Sequence, residues 1–112
     1  MAAVFAVHNE MGGGFLEDVY HESLELELTD RGILFVGKPY LTLFYKGRAL
    51  KKQYQADLIV VGEIIVELKA VKTLLPEHEA QLINYLRVTR KRVGYLINFG
   101  AFPRLEWKRF VL

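Results

Sequence analysis

From Phe15 to about Asp30, apolar side chains return every three or four positions, at Leu16, Val19, Tyr20, Leu24 and Leu28. Asp18, Glu22 and Glu25 fall elsewhere on the same wheel, so the spacing predicts an amphipathic helix. A shorter apolar run over residues 3–11 predicts a helix before it. Gly12-Gly13-Gly14 separates the two, because three glycines permit positive φ and a sharp change of direction. Arg31-Gly32 supplies a stop for the second. The period then drops to two. Ile33–Val36 reads as a short strand, Tyr40–Tyr45 as a strand rich in aromatic and β-branched residues, and Lys46-Gly47-Arg48 as a turn. Gln53–Val61 and Ile64–Lys69 predict two more strands, joined as a hairpin around Gly62-Glu63. Pro76 suits the first turn of another helix, running to about Thr89. Val93–Phe99 predicts a strand closed by Gly100, and Trp107–Leu112 an edge strand. No repeat, low-complexity stretch or linker interrupts the chain, so one domain is expected over residues 1–112. Helix, three strands, helix and strand, in that order, predict an α/β arrangement: a central mixed sheet with helices on it.

Three charged residues sit where this pattern wants apolar ones. Asp57 and, ten residues later, Glu67-Leu68-Lys69 are embedded in β-branched sequence. An unpaired charge in such an interior loses several kcal/mol of hydration. A metal ion drawing the carboxylates together, with an anionic substrate for the lysine, would offset that loss.

Strand parity turns this into a geometric demand. Side chains alternate faces, so Ile65, Glu67 and Lys69 share one face, and Asp57, Ile59 and Val61 share one. A two-residue loop at Gly62-Glu63 would pair Asp57 with Leu68 and send Asp57 and Glu67 to opposite faces. A three-residue loop, or a bulge, brings them together. A shared site therefore requires an odd loop or a bulge.

Composition adds limits. A chain of 112 residues, 52% hydrophobic and 25% charged, can bury a real core. There is no cysteine, which excludes disulfides, thiolate metal sites and a cysteine nucleophile, and fits an intracellular, cytoplasmic protein. The start shows neither a signal peptide nor a membrane span, and no membrane partner is expected. The net charge of +2 hides a split: residues 1–30 hold seven acids and no Lys or Arg, while all 15 bases lie beyond them. A basic face meeting a polyanion is one reading, and two oppositely charged solvated surfaces are the other.

In order along the chain, the motifs resemble the PD-(D/E)XK nuclease superfamily, and within it the small GxxExxY proteins. Gly14-Phe15-Leu16-Glu17-Asp18-Val19-Tyr20 carries the signature. Val7-His8, Tyr54-x-Ala56-Asp57, Glu67-Leu68-Lys69-Ala70, His78-Glu79-Ala80-Gln81-Leu82-x-Asn84-Tyr85-Leu86 and Gly94-x-Leu96-Ile97-Asn98-Phe99-Gly100 follow the same pattern. Two departures are local: Gly13 stands where relatives often have proline, and Ala56 replaces the proline before the aspartate.

The resemblance implies a restriction-endonuclease-like core and metal-dependent hydrolysis of phosphodiesters, with DNA favoured over RNA. It implies that Asp57, Glu67 and the backbone carbonyl of Leu68 hold Mg²⁺ or Mn²⁺, with Glu17 and His8 as further candidate ligands. Lys69 would orient water or stabilise the transition state. Gln81 and Tyr85, four apart on one helical face, resemble the Gln-x-x-x-Tyr motif of RecB-type exonucleases and would hold Lys69 or a phosphate oxygen. Each has a plainer reading. Glu17 suits a helix N-terminus, Tyr85 a core, Gln81 a solvated face, and a lone histidine such as His8, His21 or His78 a structural position.

Two basic clusters are candidate nucleic-acid contacts: Lys46, Arg48, Lys51 and Lys52 around a turn, and Arg87, Arg90, Lys91 and Arg92 ending a helix. The second also complements the helix dipole. Three readings follow: a nuclease, a nucleic-acid-binding or assembly module with little turnover, and a structural domain whose lysine ion-pairs with the acids. A chain without a recognition domain leaves room for a protein partner or a homo-oligomer.

Overall fold

The computed structural model describes residues 1–112. Helices α1 (Ala2–Met11) and α2 (Glu17–Asp30) come first. Strands β1 (Phe35–Gly37), β2 (Tyr40–Tyr45), β3 (Arg48–Gln55), β4 (Leu58–Val60) and β5 (Ile64–Lys69) follow. Helix α3 (Pro76–Thr89) then leads to β6 (Val93–Asn98) and β7 (Glu106–Val111). A five-stranded sheet has the order β1-β4-β5-β6-β7, and β2-β3 form a separate antiparallel hairpin. Only β5 and β6 run parallel, as a strand-helix-strand crossover through α3 requires.

Alternation along β5 divides the core in two. Val66 and Leu68 face α1 and α2, packing with Val4, Val7, Leu24, Leu28, Leu58 and Ile97. Ile65 faces α3, packing with Leu82, Leu86 and Leu96, and Tyr54 from the hairpin joins this cluster. Gly94 lets α3 approach: a Cβ there would lie 3.1 Å from Leu86. No helix is long and apolar enough to cross a membrane.

Two expectations change. Gln53–Val61 is not one strand but the end of β3 and all of β4, in different sheets. The chain changes sheet at Ala56-Asp57, where the Ala56 N–H bonds the Pro39 carbonyl and the Lys38 N–H bonds the Asp57 carbonyl at 2.7 Å. Arg48 opens β3 instead of closing a turn, because the basic run through Lys52 is strand paired to β2, with an irregular register between Thr42 and Phe44. The loop from β4 to β5 is odd, as a shared site demands. Val60 pairs with Ile64, Ile59 with Ile65 and Leu58 with Val66, leaving Val61, Gly62 and Glu63 to turn. Val61 and Gly62 both take positive φ, 48° and 74°. Extending that register by one step sets Asp57 opposite Glu67, on the α3 side of the sheet.

Candidate active site

Asp57 and Glu67 meet at the point where the chain leaves the hairpin. The Asp57 Oδ2 accepts the Leu68 N–H at 2.7 Å, and the Asp57 N–H points at Glu67 Oε1 from 3.4 Å. The Tyr54 hydroxyl also donates to Glu67 Oε1. The two carboxyls also hydrogen-bond each other, and no further N–H or hydroxyl of the protein reaches them. Lys69 shares the Glu67 face but makes no ion pair with either acid; the ion pairs of the chain lie elsewhere.

The electrostatics reflect this crowding. Burial, and then the charge of Asp57, push the Glu67 carboxyl up to about 8, although the Tyr54 hydroxyl pulls it back. Burial raises the Tyr54 phenol as well, with Glu67 second. Glu17, at the first turn of α2, is also raised, by partial burial first and Asp57 second, while Lys69 acts the other way. Three acids and one lysine therefore feel one another across two elements.

A short turn aims Glu17. Gly12 and Gly14 adopt positive φ, 71° and 96°. The fully buried Tyr20 donates its hydroxyl to the Gly12 carbonyl at 2.7 Å and accepts the Phe15 N–H at 3.3 Å. Its ring stacks on Phe99, centroids 4.8 Å apart. The Phe99 N–H in turn bonds the Lys69 carbonyl at 2.9 Å. The turn that carries Glu17 and the strand that carries Lys69 are thus held by one aromatic pair.

On the other side, a cavity of about 290 Å³ opens between the hairpin, β5 and α3. Glu67, Lys69, Gln81 and Tyr85 all line it, with Tyr54. The Tyr54 and Tyr85 rings are stacked, 3.8 Å apart and 7° from parallel. The sequence-predicted Glu67, Lys69, Gln81 and Tyr85 are therefore brought to one place.

The family is decided by the whole ordered series. Residues 1–110 match the family model of the PD-(D/E)XK nuclease superfamily. The chain belongs to that superfamily. No curated protein matches it. Among solved structures, the crystal structure of SSO0001 is similar, with a TM-score of 0.64 and 22% identity over 84% of this chain and 48% of that one. At that identity the likeness concerns the fold. The chain spans about half the length of that solved structure.

Asp57 and Glu67 bring carboxylate oxygens side by side, the donor type that suits a hard divalent ion. Two half-buried carboxylates side by side, with no cation paired to them, form the charge arrangement such an ion neutralises. No three His, Cys, Asp or Glu side chains stand at ligand distance from a common point. The two acids would need the Leu68 carbonyl, Glu17 or water to complete a coordination shell.

His8 has another task. It is buried, its Nε2 donates to the Ala101 carbonyl at 2.7 Å, and its ring packs 5.3 Å from Phe102. It ties α1 to the loop after β6, the structural position that a lone histidine suits, and its Nε2 is taken by that bond. His78 accepts the Leu75 N–H through Nδ1 at 3.0 Å, capping α3. His21 pairs with Glu25.

Three side chains at or behind the site carried no role in the sequence reading. Tyr54 stood in the quoted Tyr54-x-Ala56-Asp57 motif without a role of its own. Asn98, fully buried, accepts the Val71 and Gly100 N–H groups at 3.0 Å and donates to Glu106 Oε1 at 3.0 Å. Glu106 also accepts the Leu74 N–H at 2.9 Å. These bonds draw the Glu106 carboxyl below its usual range, that from Asn98 most. Together they pin the connection from Lys69 to α3.

The basic clusters adjoin each other. The Arg90 guanidinium lies 4.5 Å over the Phe44 ring, and its Nη2 is 4.0 Å from where a Gly47 Cβ would sit. Lys46, Arg48, Lys51, Lys52, Arg87, Arg90 and Arg92 are exposed. Lys91 bonds the Gly62 carbonyl at 3.2 Å, and Arg92 the Leu112 carbonyl at 3.4 Å.

Proposed function

We propose that this protein is a metal-dependent nuclease that hydrolyses nucleic-acid phosphodiester bonds, with DNA the favoured substrate. One observation carries the reading: Asp57 and Glu67 share the α3 face of the sheet with Lys69, and Lys69 pairs with neither. A purely structural cluster would satisfy its lysine with its acids, and this one does not. The order of motifs, including Gly14-x-x-Glu17-x-x-Tyr20, supports a GxxExxY protein.

Asp57 and Glu67 would hold Mg²⁺ or Mn²⁺, with the Leu68 carbonyl and Glu17 completing the set directly or through water. Such an ion, when bound, lowers the pKa of water and neutralises charge on the phosphate. The chain's own groups do the rest. The Leu68 N–H fixes the Asp57 carboxylate, and the Tyr54 hydroxyl and Asp57 N–H fix that of Glu67. Lys69, unpaired, offers its ammonium to a phosphate oxygen. Gln81 and Tyr85 line the cavity beside it. The joined basic surface of the hairpin and α3 supports contact with the polyanionic backbone, a salt-sensitive term.

The test is incubation of the purified chain with single- and double-stranded DNA and RNA, in Mg²⁺, Mn²⁺ or chelator, beside Asp57→Ala and Lys69→Ala. Metal-dependent cleavage lost in both variants is the expected result. Salt-sensitive binding without cleavage would turn the assignment to a binding module.

A further inference from the structure

The cavity that Lys69 lines has more wall than phosphate chemistry uses. Besides Glu67, Lys69 and His78, its walls are the aromatic rings of Tyr54 and Tyr85, the amides of Gln53, Gln55 and Gln81, and apolar Leu82 and Leu96. Tyr54 is 8% exposed and Tyr85 half-buried, so the stacked pair forms one aromatic slab whose outer ring reaches the wall. Gln55 is held by the Lys38 carbonyl at 3.1 Å. Gln53 and Gln81 are exposed, and their amides bond no other protein group.

An aromatic wall with free amides matches a flat, neutral heterocycle rimmed by donors and acceptors. A phosphate calls for cations: Lys69 serves it at this cavity, and the exposed ones cluster on the hairpin and the end of α3 instead. We propose that the cavity receives one unpaired nucleobase, from the nucleotide whose phosphate meets the carboxylates. The inference rests on the nuclease reading and adds a substrate class: a strand that is single or frayed at the point of attack.

Size and pairing give the selectivity. A cavity of about 290 Å³ has room for one base and none for a base pair with its flanking duplex. In a duplex, bases present only their edges in the grooves. Entering a side pocket requires unstacking and unpairing, which is least costly where the strand is already single. Stacking on an aromatic ring is tolerant of sequence, so no strong base preference is expected.

The test uses the full chain in chelator, at one low ionic strength, with fluorescence anisotropy. The probes are a labelled single strand, its duplex, and the same strand lacking one base at successive positions. The single strand should bind about ten-fold more tightly than the duplex, and loss of one particular base should weaken binding about ten-fold. In Tyr85→Leu that base should no longer matter. Gln53→Ala, on the exposed surface of β3, should show a smaller loss at the same position and needs no change to the stacked pair. Equal binding of strand and duplex, with every missing base neutral, overturns the pocket. If Mn²⁺-dependent cleavage persists in that case, the nuclease reading stands alone. No binding and no cleavage of any nucleic acid overturns both.

Discussion

The Tyr54 ring lies flat on that of Tyr85, centroids 3.8 Å apart, while its hydroxyl donates to Glu67. One side chain of the hairpin thus touches both α3 and a candidate metal ligand. The two contacts separate by substitution. Tyr54→Phe keeps the stack and removes a hydrogen bond to a carboxyl group, which should cost about 1–2 kcal/mol in urea unfolding. Tyr54→Ala removes the ring from the core too and should cost about 3–5 kcal/mol. Equal losses in the two variants would show that the hydroxyl carries the whole contribution and the stack none.

The raised Glu67 carboxyl makes the metal-free fold sensitive to pH. In the unfolded chain Glu67 titrates near the ordinary 4.5, and in the fold near 8. Between these values the unfolded chain has lost a proton that the fold still holds. Stability is therefore greatest below about 4.5 as far as this group is concerned, falls as pH rises, and levels off above 8. Other carboxylates superimpose their own trends, so the comparison is with Glu67→Gln. Denaturant melts in chelator should show a wild-type loss of about 3–4 kcal/mol from pH 5 to pH 8, relative to the variant. Parallel curves would mean that Glu67 is not perturbed in the fold.

Tyr20 explains the spacing of Gly14, Glu17 and Tyr20. Its hydroxyl closes the glycine turn, and one helical turn back Glu17 points toward Asp57 and Lys69. Tyr20→Phe retains the stack on Phe99 and removes bonds to Gly12 and Phe15. About 1–2 kcal/mol of stability should be lost. If Glu17 acts in the site, cleavage should fall further than a core variant of equal stability loss, such as one at Leu28, at a temperature where both stay folded. Equal activity in the two would confine Tyr20 to the fold.

Much of this was legible in the chain. The α3 bounds follow from Pro76 and the apolar period, and β2 from its aromatic run. Parity, for a site shared by Asp57 and Glu67, demanded an odd loop or a bulge, and Val61, Gly62 and Glu63 form the odd loop. The change of sheet at Ala56 was not legible, because Gln53–Val61 passes from alternating to continuously apolar sequence with no Gly or Pro between, and the partners that divide it, Pro39 and Lys38, lie far back in sequence. The task of His8 was hidden for a similar reason: its partner, Ala101, is 93 residues away. Asn98 and Glu106 sit in strands whose period says only which face they occupy. Their bonds to residues 71–74 appear once the sheet is assembled.

That connection supplies a sharp test of packing. A Cβ on Gly100 would lie 2.3 Å from the Val71 carbonyl oxygen, and backbone cannot yield as a side chain does. On Gly94 the nearest atoms are methyl groups of Leu86, at 3.1 Å. Gly100→Ala should cost about 3 kcal/mol or more, and Gly94→Ala about 1–2 kcal/mol. Thermal and urea melts of the two variants rank them, and a mild effect at Gly100 would mean that the 70–75 connection is looser than its bonds to Asn98 and Glu106 indicate.

Asp57 offers the clearest separation of function from stability. Its charge is the second cause of the strain on Glu67, so Asp57→Asn should stabilise the metal-free protein at pH 8 by about 1 kcal/mol. The amide oxygen can still accept the Leu68 N–H, which keeps the turn in place. The same change removes half of the charge that draws a divalent ion. Wild type at an Mn²⁺ concentration 100 times its dissociation constant should gain about 2.7 kcal/mol of stability. That gain should grow from pH 6 to pH 8, because binding displaces the Glu67 proton. In Asp57→Asn the ion should produce little gain at either pH, and chelator should return wild type to its lower value. A variant less stable than wild type without metal, yet still stabilised by Mn²⁺, would show that Asp57 supports the fold and not the ion.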